Sequence, residues 1–185
     1  LVRVSKIGGD LLYTRIGWDG VAQTSMAVEN VARFLTAEVE DTNILLQGED
    51  LHVCYQNRRR KRIEIATLSA GQWAVTQVET SVDGLGCDLE LYRDKLTLAY
   101  QDDGVLKVAT LDNGAWSIVV ADNSANQVGA FPSIAIGDKN EIAIAHRDDT
   151  VGGLRITRLA TGLWTTDVPP APIAGGGHRP RALID

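Results

Sequence analysis

Three of the four tryptophans follow a glycine by two positions, in Gly71-Gln72-Trp73, Gly114-Ala115-Trp116 and Gly162-Leu163-Trp164, at spacings of 43 and 48 residues. Ten residues ahead of each Trp an alternating run opens: Ile63-Glu64-Ile65, Leu106-Lys107-Val108 and Leu154-Arg155-Ile156. Further upstream, in the same register, stand Leu51-His52-Val53-Cys54-Tyr55, Leu96-Thr97-Leu98-Ala99-Tyr100 and Ile142-Ala143-Ile144-Ala145-His146. Self-similarity at this period means one small supersecondary unit written several times, so the fold must be one that stacks such units.

The alternation has period two, with Gly, Asn and Asp at hairpin-length gaps, which predicts short antiparallel strands. Each unit holds four. In one they run roughly Leu89 to Leu91, Leu96 to Gln101, Val105 to Leu111 and Trp116 to Ala121; in the next, Ser133 to Ile136, Glu141 to His146, Leu154 to Leu159 and Trp164 to Val168. The best helical pattern, Val28 to Val39, is read as a loop with at most a helical turn. Four-stranded sheets repeated at this spacing are the signature of β-propeller blades, so the expected fold is all-β, with about four blades of four antiparallel strands.

The ends are out of phase with the repeat. Pro180 to Asp185 aligns with Pro132 to Ile136, a first strand, whereas Val2 to Ser5 and Leu11 to Thr14 align with second and third strands. The expected blades are therefore residues 1–40 plus 178–185, 41–84, 85–129 and 130–177, within a single propeller domain. Pairing of the N- and C-terminal strands would close the ring and remove exposed edges. The alternative is half of a larger ring, completed by a second copy or by another chain. Because residue 1 is Leu and no charged-then-apolar leader follows, the chain also reads as cut from something longer.

The repeated pattern of aliphatic pairs, Tyr or His, a polar turn, another aliphatic pair and Gly-x-Trp resembles the blades of bacterial β-propellers of the sialidase-like and lectin-like kind. The resemblance implies a fold and leaves activity to the loops. Thr110 to Trp116 comes within one residue of a sialidase-type Asp-box, but the corresponding Ser69-Ala70-Gly71 and Ala160-Thr161-Gly162 lack its Asp.

Composition narrows the functional classes. With 18 Lys+Arg against 24 Asp+Glu the chain carries a net charge of −6, the wrong sign for a dedicated nucleic-acid binder. No apolar run approaches the ~20 residues of a membrane-spanning helix. Two cysteines, Cys54 and Cys87, do not make a disulfide framework, and the compartment is left open, with a secreted or extracellular location slightly favoured.

Candidate site residues sit where loops converge. Asn43, Asp88, Ser133 and Arg181 share one register position, at the start of each first strand, and would form a polar ring at a channel mouth; polarity at a strand start also has a purely structural explanation. His178, Arg179 and Arg181 could engage a carboxylate or phosphate. Arg58-Arg59-Arg60-Lys61-Arg62 is the strongest charge run, set at a hairpin tip. Asp102-Asp103 and Asp148-Asp149 fall at corresponding turns and are read as turn residues, because no calcium-loop spacing surrounds them. His146 stands in the place of Tyr55 and Tyr100 and is read as a packing residue. His52 and Cys54 make too few ligands for zinc, so neither metal nor cofactor is expected.

No nucleophile elbow or Cys-His pairing is visible. The expected function is a non-enzymatic binding or scaffold propeller that recognises a glycan or protein partner through its loop face. The alternatives are a sialidase-like or other glycan-acting hydrolase, in which Asp88 would be essential, and a structural subunit of a multi-chain propeller.

Overall fold

The computed structural model describes residues 2–7, 10–16, 22–27, 39–58, 60–124, 127–169 and 180–182, with side chains described from residue 42 onward. The chain divides into two compact units, Leu1–Ser81 and Val82–Asp185. The first holds β1 (Val2–Ile7), β2 (Asp10–Ile16) and β3 (Ala22–Ala27), then β4 (Val39–Gln47), β5 (Asp50–Asn57), β6 (Arg62–Ser69) and β7 (Gln72–Thr80). The second holds β8 (Cys87–Tyr92), β9 (Lys95–Asp102), β10 (Val105–Asp112) and β11 (Ala115–Asp122), then β12 (Ala130–Ile136), β13 (Ile142–Asp148), β14 (Gly153–Ala160) and β15 (Leu163–Asp167).

These strands form three four-stranded antiparallel meanders, β4 to β7, β8 to β11 and β12 to β15, and one three-stranded sheet, β1 to β3. The three-stranded sheet comprises the strands that the repeat numbers two to four. Among the described residues no sheet closes on itself and no helix occurs. The expected pairing of residues 180–185 with the N-terminal strands rests largely on residues 183–185, outside the described set; residues 28–38 of the loop expected over Val28 to Val39 lie outside it too, as does most of the last blade junction, while Val39 opens β4.

The Gly-x-Trp signature has a backbone cause. Ala70 and Gly71, Asn113 and Gly114, and Thr161 and Gly162 all have positive φ, between 49° and 85°, as the two central residues of a tight hairpin with both φ angles positive require. Gly takes the second of these positions at no steric cost. Two residues on, each Trp faces a Leu across the hairpin: Leu68 with Trp73, Leu111 with Trp116 and Leu159 with Trp164. All three indoles are half-buried, and Trp164 packs against the core between two sheets.

Bulges recur in register as well. The pairing slips between Ile63 and Glu64 and at the equivalent Leu106 and Lys107, and again between Glu40 and Asn43 and at the equivalent Ala130 and Ser133. Bulges increase local twist, so the third and fourth strands of two sheets, and the first and second strands of two, are bent at equivalent places.

Burial falls across each meander from the second strand to the fourth. Strands β5 and β9 are buried on both faces, whereas β7 and β11 are largely exposed. In the second unit one face of β8 to β11, carrying Ala99, Leu106, Val108 and Tyr92, meets the branched face of β12 to β15, carrying Ile134, Ile142, Ile144, Leu159 and Trp164. Apolar side chains of both sheets close this core, and each buried Ile or Leu contributes about 2 kcal/mol.

Candidate functional site

The loops expected to converge do so in the second unit. The N–H of Asp103 donates to the carbonyl of Asp83 at 2.6 Å and that of Asp149 to Gln127 at 2.7 Å, equivalent bonds one repeat apart. Gln101, fixed on β9, accepts from the N–H of Leu85 at 2.9 Å and donates to the carbonyl of Val128 at 2.8 Å, clamping two joining loops at once.

The polar register position serves as a tie between first strands. Asn43 Oδ1 accepts from the N–H of Ile44 at 2.8 Å, and Asp88 Oδ1 accepts from Leu89 at 2.9 Å in the same way. Asp88 Oδ2 reaches into the next sheet and accepts from the N–H of Ile134 at 2.9 Å, while the Ser133 hydroxyl donates to the same carboxylate. Ser133 Oγ in turn accepts from the N–H of Ala182 at 3.2 Å, repeating the step one unit later. Asp88 is 7% exposed, and burial pushes its carboxyl up to about 6 against these hydrogen bonds. The structure thus occupies Asp88 and Ser133 with backbone groups. Arg181, the fourth member of the position, is exposed.

Of the charge run, Arg58, Arg60 and Lys61 are exposed at the β5–β6 tip, which is held by Arg60 N–H donating to Asn57 Oδ1 at 3.0 Å. Arg59, His178 and Arg179 lie outside the described residues.

A repeated polar node was not anticipated. Tyr55 faces Glu64, Tyr100 faces Lys107 and His146 faces Arg155 across the second and third strands. The polar residue ending the second strand holds each charge. Asn57 Nδ2 donates to Glu64 Oε2 at 3.0 Å, Lys107 Nζ to Asp102 Oδ2 at 2.7 Å, and Arg155 Nε to Asp148 Oδ2 at 2.9 Å. Alternation alone would put Glu64, Lys107 and Arg155 in water, yet Glu64 and Arg155 are buried, because these sheets are covered on both faces. The paired carboxylates are therefore occupied. Asp102 also accepts from the N–H of Asp83, and Asp148 Oδ1 accepts from the N–H of Thr150 at 3.0 Å, as expected of turn residues.

The His146 node is the most elaborate. Its Nδ1 accepts from the N–H of Gly129 at 3.1 Å, which puts the ring proton on Nε2, donating to Thr157 Oγ1 at 2.8 Å. Asp122 Oδ2 stands 3.7 Å from that nitrogen and 3.6 Å from Arg155. Burial pulls the imidazole down to about 4; Asp122 opposes the shift and Arg155 adds to it. Burial also lowers His52 and raises the phenol of Tyr55, the latter with help from Glu64. Among the described residues no group of three or more His, Cys, Asp or Glu could hold a metal ion. Both Cys54 and Cys87 are disulfide-bonded.

At the opposite end of these two sheets, three hairpin turns surround a groove of about 460 Å³ that Leu159 and Ala160 also line. The β8–β9 turn supplies Tyr92 and Arg93, the β12–β13 turn supplies Lys139, Asn140 and Glu141, and the β14–β15 turn supplies Thr161. Arg93 lies over the Tyr92 ring, 4.9 Å from its centroid. Two cations, an amide and a carboxylate around one concavity can hold an anionic, hydroxyl-rich ligand by charge-assisted hydrogen bonds. These residues carry no motif; only the strand register brings the three turns together. No protein-family model matches the chain, and no curated protein matches it.

Proposed function

We propose that this chain builds blades of a β-propeller that acts as a binding scaffold, recognising an acidic glycan in the groove between the Tyr92–Arg93, Lys139–Glu141 and Thr161 turns. The ring is read from the repeat, in which the β1–β2–β3 sheet has one strand fewer than the other three. Glycan recognition rests on one observation, the concave groove carrying Arg93 and Lys139 beside Asn140, Glu141 and Tyr92. Its volume lies within the range of small-ligand sites, and the cation pair selects a carboxylated or sulfated sugar over a neutral one. Disulfide-bonded cysteines fit an oxidising compartment, where such glycans are met.

The test is a glycan array followed by titration of the hits, comparing the protein with Arg93→Ala and Lys139→Ala. Binding to acidic glycans that drops at least tenfold in either variant, with neutral parents bound weakly, supports the assignment. Equal binding to acidic and neutral sugars, or none to either, refutes it.

A further inference from the structure

The groove at the β8–β9, β12–β13 and β14–β15 turns holds charges that the fold itself leaves unused. Among the described residues of the second unit, Lys95, Lys107, Arg147, Arg155 and Arg158 are each paired with an aspartate. Arg93, Lys139 and Glu141 all line the groove, all are exposed, and none of them enters an ion pair. Their positions are nevertheless fixed. The Arg93 guanidinium rests on the Tyr92 ring, and Tyr92 packs against the core between the two sheets. The β12–β13 turn is closed by Asn140 N–H donating to the carbonyl of Gly137 and Gly137 N–H donating to that of Glu141, both at 2.9 Å. Each turn also holds a non-glycine residue in the left-handed region, Arg93 at a φ of 52°, Asn140 at 57° and Thr161 at 52°. Such conformations cost energy and recur where a backbone is held for a ligand.

From this arrangement we infer that Glu141 is the specificity-determining residue of the groove, and that the ligand is a sugar with one carboxylate flanked by free hydroxyl groups, a uronic-type acid and not a sulfated one. The inference rests on the acidic-glycan reading above and narrows it. Two cations beside one carboxylate leave the groove a single net positive charge, which one ligand carboxylate neutralises. Arg93 suits that carboxylate, because a planar guanidinium meets it through two parallel hydrogen bonds. An ionised carboxylate such as that of Glu141 only accepts hydrogen bonds, and a sugar hydroxyl next to the ligand's acid group supplies the donor. A sulfate in the hydroxyl's place brings a second anion against Glu141. Like charges brought together at an interface cost affinity, and one repulsive element is enough to separate two otherwise similar ligands. Asp94 and Asp138, exposed in the same two turns, extend the repulsion to a longer polyanion, which meets two cations against three carboxylates.

Calorimetric titration with oligogalacturonate, its methyl ester and its O-sulfated derivative tests this. Arg93→Ala defines groove binding: affinity that this variant keeps belongs to other surface cations, such as Arg58, Arg60 and Lys61. The wild type is expected to bind the free acid about tenfold tighter than either derivative. Glu141→Gln removes the charge and keeps an acceptor oxygen, and is expected to lower the preference for the unsulfated acid over the sulfated one by about tenfold. Wild-type groove affinity for the sulfated oligomer that equals or exceeds that for the acid overturns the inference, whether or not the variant folds. A preference unchanged in Glu141→Gln also overturns it. In both cases weak binding of the methyl ester leaves the acidic-glycan reading standing. Equal binding of acid and methyl ester, or none of either, removes that reading and the inference with it.

Discussion

Asp88→Asn removes one ionisation from the tie between β8 and β12, and its effect is expected to depend on pH. The folded-state value of about 6 lies above the 3.8 of an unperturbed Asp, so the folded chain holds this proton more tightly than the unfolded one. The resulting stabilisation is fully present below pH 3.8 and is lost as pH rises through 6; the whole shift corresponds to about 3 kcal/mol, of which about 1.3 kcal/mol develops between pH 7 and pH 5. His146 works the other way. Its folded-state value of about 4 lies below the usual 6.5, so its contribution is present above 6.5 and lost as pH falls through 4, by about 2 kcal/mol between pH 7 and pH 5. The two nearly cancel in the wild type. Urea unfolding of wild type, Asp88→Asn and His146→Gln at both pH values separates them. On acidification from pH 7 to pH 5, Asp88→Asn is expected to lose about 1 kcal/mol more stability than wild type, and His146→Gln about 2 kcal/mol less. Parallel changes in all three proteins would refute the assignment of these groups as the titrating pair.

Arg155→Ala leaves Asp148 and Asp122 buried without their guanidinium and is expected to cost about 3–5 kcal/mol, measured by urea unfolding. Thr161 holds a β-branched side chain at a φ of 52°, where the equivalent hairpin has Asn113, so Thr161→Asn is expected to stabilise by about 1 kcal/mol, read as a higher thermal midpoint. Thiol titration of the denatured protein is expected to find no reactive cysteine until reductant is added, and two afterwards.

Most strands were legible in this sequence to within a residue or two, because alternation and turn residues are local properties; β12 starts at Ala130, three residues before the expected Ser133. The run from Val105 to Leu111 becomes β10, Val105–Asp112, and the Gly-x-Trp phrases encode hairpins with two positive φ angles. The phase of the N-terminal end was legible too: β1 to β3 form a three-stranded sheet, one strand short of the others. Site chemistry was less so. Asp88 and Ser133 share a register position that the sequence displays, but only the adjoining sheet shows that their oxygens are taken by backbone N–H groups. Lys107 and Arg155 occupy the polar positions of the alternation, and only the structure shows them held across the hairpin by Asp102 and Asp148.

What the sequence determined by itself is the unit: its strands, its turns and the number of times it is written, all set by the period of side chains along one strand. What the tertiary structure decided is which polar groups are left over for a ligand. That depends on two sheets meeting face to face, where burial makes an unpaired charge costly and gathers turns far apart in the chain, such as Arg93 and Lys139, around one groove.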